Sequence, residues 1–410
     1  MTVARLVEDV LGTDLPVAVE AYDGSRLGPS DAPATLLVRT PEALTRIITA
    51  PGELGFGRAY VAGDLDVDGD IFAALALRDR LPEVQLTGRQ KIAAARLAGL
   101  TAFRRLPPRP SQEARLRGRR HSRKRDAAAV THHYDVSNRF YEIVLGPSLT
   151  YSCALFARAD MSLEEAQEAK HDLVARKLDL HPGMRLLDVG CGWGGMLLQA
   201  ARHHGVRAVG VTISSKQADL ARKRVADAGL SHLVEIRLQD YRDVDDGPYD
   251  AISSIGMFEH VGLSQLGQYF RHLHDLLRPQ GRLLNHAISR PPGGHPRIAR
   301  NSFAGRFVFP DAELHEVGAV VSAIQAAGFE ARHTESLREH YALTLRRWVA
   351  NLQAGWEEAR TEVDPGRARI WLLYMAASAL NFEANRTQIH QVLGVRADEG
   401  RSGLDLRPHW

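Results

Sequence analysis

The stretch "LLDVGCGWGG" (residues 186–195) decides the fold. An apolar run ends in Asp188 and Val189, and glycines follow at 190, 192, 194 and 195. Glycine has no Cβ, so the chain can turn sharply and bring its backbone close to a ligand. Working outward, "MRLLDVG" reads as a strand and "GGMLLQAARHH" as a helix. "VRAVGVTI" is a strand, and "SSKQADLARKRVADAG" is a helix opened by Ser214 and stopped by Gly229. "LVEIRLQ" and "YDAISSIG" are further strands, and "LSQLGQYFRHLHDLLRP" is a helix stopped by Pro279 before the strand "GRLLNHAIS". Repeated βα units of this kind predict an α/β fold with a parallel, doubly wound, Rossmann-like sheet.

Ligands of such sheets lie outside the carboxyl ends of the strands, where this loop sits. A glycine pattern alone also fits a dinucleotide. Against that, Asp188 precedes the glycines, and the second strand ends in Thr212, Ile213 and Ser214 with no acid to grip a ribose. S-adenosylmethionine fits better, because its zwitterionic amino-acid portion can use loop amides and a nearby carboxylate. A class I methyltransferase domain is therefore expected. Thr212 and Gln217 are the polar candidates for the ribose, and Tyr241 of "QDYRD" either covers an adenine face or packs on the surface. Cys191 reads as a small packing residue.

The chain has 410 residues, 44% hydrophobic and 25% charged, with a formal charge of +3. That length predicts more than one domain, and any electrostatic message must be local. Residues 1–80 read as a smaller N-terminal α+β domain, 81–127 as a basic linker or helical segment, and 128–410 as the catalytic domain. The acidic "DLDVDGD" (64–70) lacks the spacing of a calcium loop and reads as a turn. "FRRLPPRPSQEARLRGRRHSRKRD" is a solvated linker or a patch for anionic lipid; without interleaved aromatics it does not suggest nucleic acid. There is no apolar run long enough to span a membrane and no signal-peptide pattern, and the two cysteines, Cys153 and Cys191, suggest no disulfide framework. A cytoplasmic location is expected.

"SSIGMFEHVG" (253–262) puts Glu259 and His260 just after an apolar strand. A buried carboxylate needs partners. Glu259 reads as a metal ligand, a general base or a helix-start carboxylate. None of the nearby pairs has zinc-ligand spacing, so no metal is expected.

Several motifs taken together, "HHYDVSNRFYEIVLGPSLTYSCALF", "LLDVGCGWGG", "VGVTISSKQ", "QDYRD", "GMFEHVG" and "HYALTLRRW", resemble the cyclopropane fatty acid synthase family. The resemblance is close over about 130–395 and looser before that. It implies an S-adenosylmethionine-dependent enzyme acting on cis-unsaturated acyl chains of membrane phospholipids. Cofactor contacts then fall on Tyr151, Ser152, Asp188, Gly190, Gly192, Thr212, Gln217 and Tyr241. The family's bicarbonate ion implies ligands at Cys153, Glu259, His286, Ile288 (through its backbone) and Tyr341. "HHYD" (132–135) would shape a lid over the cofactor. Peripheral association with the inner face of the membrane, a homodimer or higher homo-oligomer, and a partner reductase are also implied.

The chemistry gives these residue types a reason. Methyl transfer to an alkene leaves a carbocation, which negative charge and aromatic faces stabilise and from which water must be excluded. A base then removes one proton. Loss from the added methyl closes a cyclopropane; loss after a hydride shift leaves a methylene branch that a reductase can turn into a 10-methyl chain. Each residue also has a plainer reading: His286 as a core histidine, Tyr341 as a helix-face aromatic, Cys153 as packing. Asn285 before His286, Ser378, Glu383 and Glu142 depart from the family pattern, and the C-terminal stretch is similar to the actinobacterial methylene-forming branch. The apolar "FAGRFVF" (303–309) either admits an acyl chain or belongs to a core.

Overall fold

The computed structural model describes residues 1–80, 87–99, 106–114, 122–123, 125–126, 136–293, 298–299 and 302–410. The "HHYD" motif and parts of the basic 81–127 segment (81–86, 100–105, 115–121, 124 and 127) lie outside the described residues. The chain forms two compact units, one comprising Met1–Arg115, Ala299–Pro310 and Trp356–Leu380, the other Leu116–Ile298, Asp311–Gly355 and Asn381–Trp410.

The first unit holds a four-stranded sheet in the order β2-β1-β3-β4, from β1 (Ala18–Ala21), β2 (Arg26–Leu27), β3 (Ala34–Val38) and β4 (Leu65–Gly69). The "DLDVDGD" run is therefore not a turn. Its centre is strand β4, paired antiparallel with β3, and its last aspartate, Asp70, caps the helix Ile71–Ala76 by accepting the Phe72 N–H at 2.8 Å. Asp66 is held by Arg369 at 2.8 Å and Arg39 at 3.0 Å. Within "FAGRFVF", Phe303, Phe307 and Val308 are buried. The Phe303 ring lies so close to Gly57 that a Cβ there would sit 2.2 Å away. This stretch is core in the first unit.

The second unit is built on a seven-stranded sheet in the order β10-β11-β9-β8-β5-β6-β7. Its strands are β5 (Arg185–Val189), β6 (Arg207–Thr212), β7 (Val234–Leu238), β8 (Tyr249–Ile255), β9 (Leu277–Ser289), β10 (Glu330–Ser336) and β11 (Gln388–Val395). β7, β6, β5, β8 and β9 run parallel; β11 is antiparallel to both β9 and β10. Apolar clusters cover both faces. One gathers Leu187, Ile252, Leu283 and Phe270, the other Leu186, Ala251, Leu284 and Leu197. That is why the strands read as continuous apolar runs.

One predicted boundary moves. The helix Leu266–Asp275 ends before Pro279, and Pro279 lies inside β9. Between Tyr249↔Leu277 and Ala251↔Arg282 the register shifts, and this bulge takes Pro279 out of the ladder, so its missing N–H costs nothing. Among the described residues no helix is long and apolar enough to cross a membrane.

Candidate active site

The loop after β5 and the ends of β6 and β8 open a cleft of about 140 Å³. Tyr151, Ser152, Asp188, Gly190, Gly192, Thr212, Gln217 and Tyr241 all line it. Gly190 and Gly192 take φ of +78° and +54°. A Cβ on Gly192 would meet nothing within 4 Å, so backbone conformation, not crowding, requires glycine there. Gly210 on β6 works the other way: a Cβ there would lie 2.3 Å from Leu197 and 2.9 Å from Cys191, so its absence seats the loop and helix Gly195–His204 on the sheet.

Thr212 donates its hydroxyl to Gln217 Oε1 at 2.9 Å and accepts the Ser214 N–H at 3.2 Å. The pair thus fixes the end of β6 against the helix Ser215–Asp227. Tyr241 sits edge-on to Tyr269, with ring centres 5.0 Å apart, and Arg242 lies over its ring at 5.4 Å.

The cleft also contains a lysine that the sequence reading missed. Lys170, on the helix Leu163–Leu178, is 1% exposed and donates to Ser152 Oγ at 3.1 Å. Burial draws its pKa down to about 7, opposed by Cys153 and Asp188. Asp188 is pushed up to about 6 by burial, opposed by the Ser253 hydroxyl at 2.6 Å and by Lys170. The cleft thus offers a buried carboxylate and a buried amine beside loop amides, a donor set that fits the ammonium and carboxylate of an amino acid.

Of the five residues proposed around an ion, none lines this cleft. They gather in two linked groups near the ends of β9 and β11. Glu259, in the short 3-10 turn Phe258–His260 after β8, accepts the Ile288 N–H at 2.7 Å through Oε1. Its Oε2 is buried with no hydrogen-bond partner among the described residues. Burial pushes Glu259 up to about 7 against the pull of that N–H. His286 is 1% exposed and meets Gln391 Nε2 through Nδ1 at 3.1 Å; its Nε2 has no partner among the described residues. Burial, with Lys170, Lys177 and His390, holds its pKa well below the ordinary value, so the ring is neutral. Ile288 offers no free N–H, because Glu259 has taken it.

Cys153 and Tyr341 form the second group. The Cys153 thiol points to the Ala154 carbonyl at 3.2 Å and the Leu337 carbonyl at 3.6 Å, and the same Leu337 carbonyl accepts the Tyr341 N–H at 3.0 Å. Burial pushes the thiol pKa up, so Cys153 is not a thiolate. Leu337 donates its own N–H to the Ile389 carbonyl, and Ile389 lies opposite Ile288. A row of rings runs from the cleft to Tyr341: Tyr151 to Trp348 at 5.3 Å, then Trp348 edge-on to Tyr341 at 5.9 Å, then Tyr341 to Phe382 at 4.7 Å.

The unusual carboxylates are paired at the surface. Glu142 meets Arg139 at 3.1 Å, and Glu383 meets Arg346 at 3.0 Å. Asn285 is buried with both amide atoms unpartnered among the described residues. Nor do those residues include a cluster of three or more His, Cys, Asp or Glu able to hold a metal.

The family profile "Mycolic acid cyclopropane synthetase" matches residues 121–392. The "Probable fatty acid methyltransferase Rv3720" of Mycobacterium tuberculosis is 47% identical, over 100% of this chain and 98% of its own length. The "Cyclopropane-fatty-acyl-phospholipid synthase" of Escherichia coli is 34% identical over 90% of this chain and 89% of its own. Among solved structures, "mycolic acid cyclopropane synthase CmaA1 complexed with SAH and CTAB" is 35% identical, with a TM-score of 0.62, covering 66% of this chain and 98% of that one. The glycine loop, the strand order and these similarities agree: the chain belongs to the mycolic acid cyclopropane synthetase family and is an S-adenosylmethionine-dependent methyltransferase of class I fold.

Proposed function

We propose that this enzyme transfers a one-carbon unit from S-adenosylmethionine to the cis double bond of unsaturated phospholipid acyl chains, such as oleoyl, giving a methylene-branched or cyclopropane chain. The names of its relatives, a fatty acid methyltransferase and a cyclopropane-fatty-acyl-phospholipid synthase, support the substrate class. One observation carries the reading of the site: Glu259 Oε2 and His286 Nε2 are buried without partners among the described residues. Orphaned buried polar atoms are costly, and an unmade bond at each points to a ligand. Bicarbonate has both a hydroxyl donor and acceptor oxygens, so it matches an unpartnered carboxylate oxygen and an unpartnered imidazole nitrogen.

When bound, S-adenosylmethionine supplies an electrophilic methyl on a sulfonium. The chain's residues supply the rest. Asp188, Lys170 and the loop amides orient the amino-acid end. The rings of Tyr151, Trp348 and Tyr341 face a developing cation on the acyl chain and keep water out. Glu259 and His286 hold the anion that accepts the proton. The basic 81–127 segment docks the enzyme on anionic lipid at the inner face of the membrane, the enzyme works as a homodimer, and a separate reductase converts a methylene product to a methyl branch.

Incubation with S-adenosylmethionine and oleoyl phospholipid vesicles, followed by mass spectrometry with double-bond derivatisation, tests the proposal. A gain of one CH₂ on the acyl chain is expected, and only a methylene product keeps an alkene. Methylation of soluble small molecules without vesicles, and none of the lipid, would favour the alternative of a small-molecule methyltransferase.

A further inference from the structure

The His286 ring sits in a polar row that crosses three strands and is buried except at its Glu335 end. Glu335 on β10 lies opposite Gln391 on β11, and Gln391 lies opposite His286 on β9. Directly opposed residues share a face of the sheet, so the three side chains stand in line. Lys177, from the helix Leu163–Leu178, meets this row. Its ammonium pairs with the Glu335 carboxylate and donates to Gln391 Oε1 at 2.7 Å. Gln391 Nε2 then meets His286 Nδ1 at 3.1 Å. Lys177 and Gln391 are fully buried.

The donors and acceptors in this row leave one solution. A lysine ammonium only donates, so the amide atom facing Lys177 must be oxygen. That turns the NH₂ of Gln391 toward His286. An amide NH₂ also only donates, so His286 Nδ1 must be the acceptor and carry no proton. The proton of the neutral ring is then on Nε2, the atom with no partner among the described residues.

We propose that Lys177 and Gln391 are positioning residues that lock His286 as the Nε2–H tautomer, so that it presents a hydrogen-bond donor, not a lone pair, to an anion. This role rests on the reading of His286 as an anion ligand, but the tautomer itself does not. Glu335 anchors the outer end of the row and opposes the burial that lowers the Lys177 pKa. The ring is neutral for the reason given above, so it binds an anion by a directed N–H and not by charge.

Long-range proton–nitrogen NMR spectra of the full-length chain labelled with ¹⁵N-histidine, without substrate, read the tautomer directly. The His286 signal is assigned by its loss in His286→Gln. The wild type should show a single form with the proton on Nε2. Gln391→Glu keeps the size but offers a carboxylate, which accepts, so Nδ1 should become protonated. Lys177→Met releases the amide and should give both tautomers, while Lys177→Arg should keep the wild-type form. Turnover of Gln391→Glu on oleoyl phospholipid should fall at least about tenfold, the scale on which a residue that orients a ligating histidine acts. A wild-type ring protonated on Nδ1, or a tautomer unchanged in both Gln391→Glu and Lys177→Met, would overturn the proposal. An intact Nε2–H signal in an enzyme inert toward lipid would instead count against the lipid reading alone.

Discussion

Replacing Glu259 by Gln should make the protein more stable and less active at once. The carboxyl is 6% exposed, and burial raises its pKa from 4.5 to about 7. Its folded pKa is therefore above its unfolded one. The folded state binds more protons between those values, so stability falls as pH rises through 4.5 to 7 and stays low above. At about 1.4 kcal/mol per pH unit, the ionised carboxylate costs roughly 3 kcal/mol at pH 8.5 and roughly 1 kcal/mol at pH 5.5. Gln keeps an oxygen for the Ile288 N–H and, like the protonated acid, has no charge to bury. Urea denaturation should find Glu259→Gln more stable by roughly 3 kcal/mol at pH 8.5, with the gap shrinking to roughly 1 kcal/mol at pH 5.5. Turnover with labelled methyl should drop sharply, while cofactor affinity is retained. A gap that did not change with pH would refute the burial argument, and full activity would return Glu259 to a structural role.

Lys170→Met, which keeps the volume but removes the amine beside Ser152 and Asp188, should weaken S-adenosylhomocysteine binding about tenfold by calorimetry, in line with loss of a charge-assisted hydrogen bond. Gly210→Ala should destabilise by about 2 kcal/mol, because its Cβ would overlap Leu197 and Cys191. Gly192→Ala, where space is open and only φ is unfavourable, should cost about 1 kcal/mol, and denaturation curves of the two variants settle the order. Binding to anionic vesicles should weaken as salt rises, since the Debye length shrinks from about 10 Å at 0.1 M to about 3 Å at 1 M; sedimentation that does not change with salt would remove the basic segment from docking.

The sheet was legible because its strands are buried on both faces and its glycine loop is local. The motif resemblance named Glu259 and Ile288 together, and the structure joins them by one hydrogen bond, from the β9 backbone to the turn after β8. Pro279 misled because a bulge removes it from the ladder, which no local pattern announces. "DLDVDGD" misled because its partner strand, not its composition, makes it a strand. Lys170 and Lys177 escaped because lysines on a helix are read as solvated. Yet they stand seven residues apart, on the face that also buries Leu163, Gln167 and Val174, so the 3.6-residue period had marked them. Gln391 could not be read at all: it meets His286 across 105 residues of sequence, through strand register alone.

The most direct measurement of the account follows the methyl hydrogens. The enzyme is given S-adenosylmethionine with a fully deuterated methyl and vesicles of oleoyl phospholipid, and the acyl chains are weighed by mass spectrometry. Proton loss from the transferred carbon, whether it closes a ring or leaves a methylene, predicts acyl chains that gain one carbon carrying two deuterons. Chains that keep all three deuterons, or lipid that takes up no label, would contradict it.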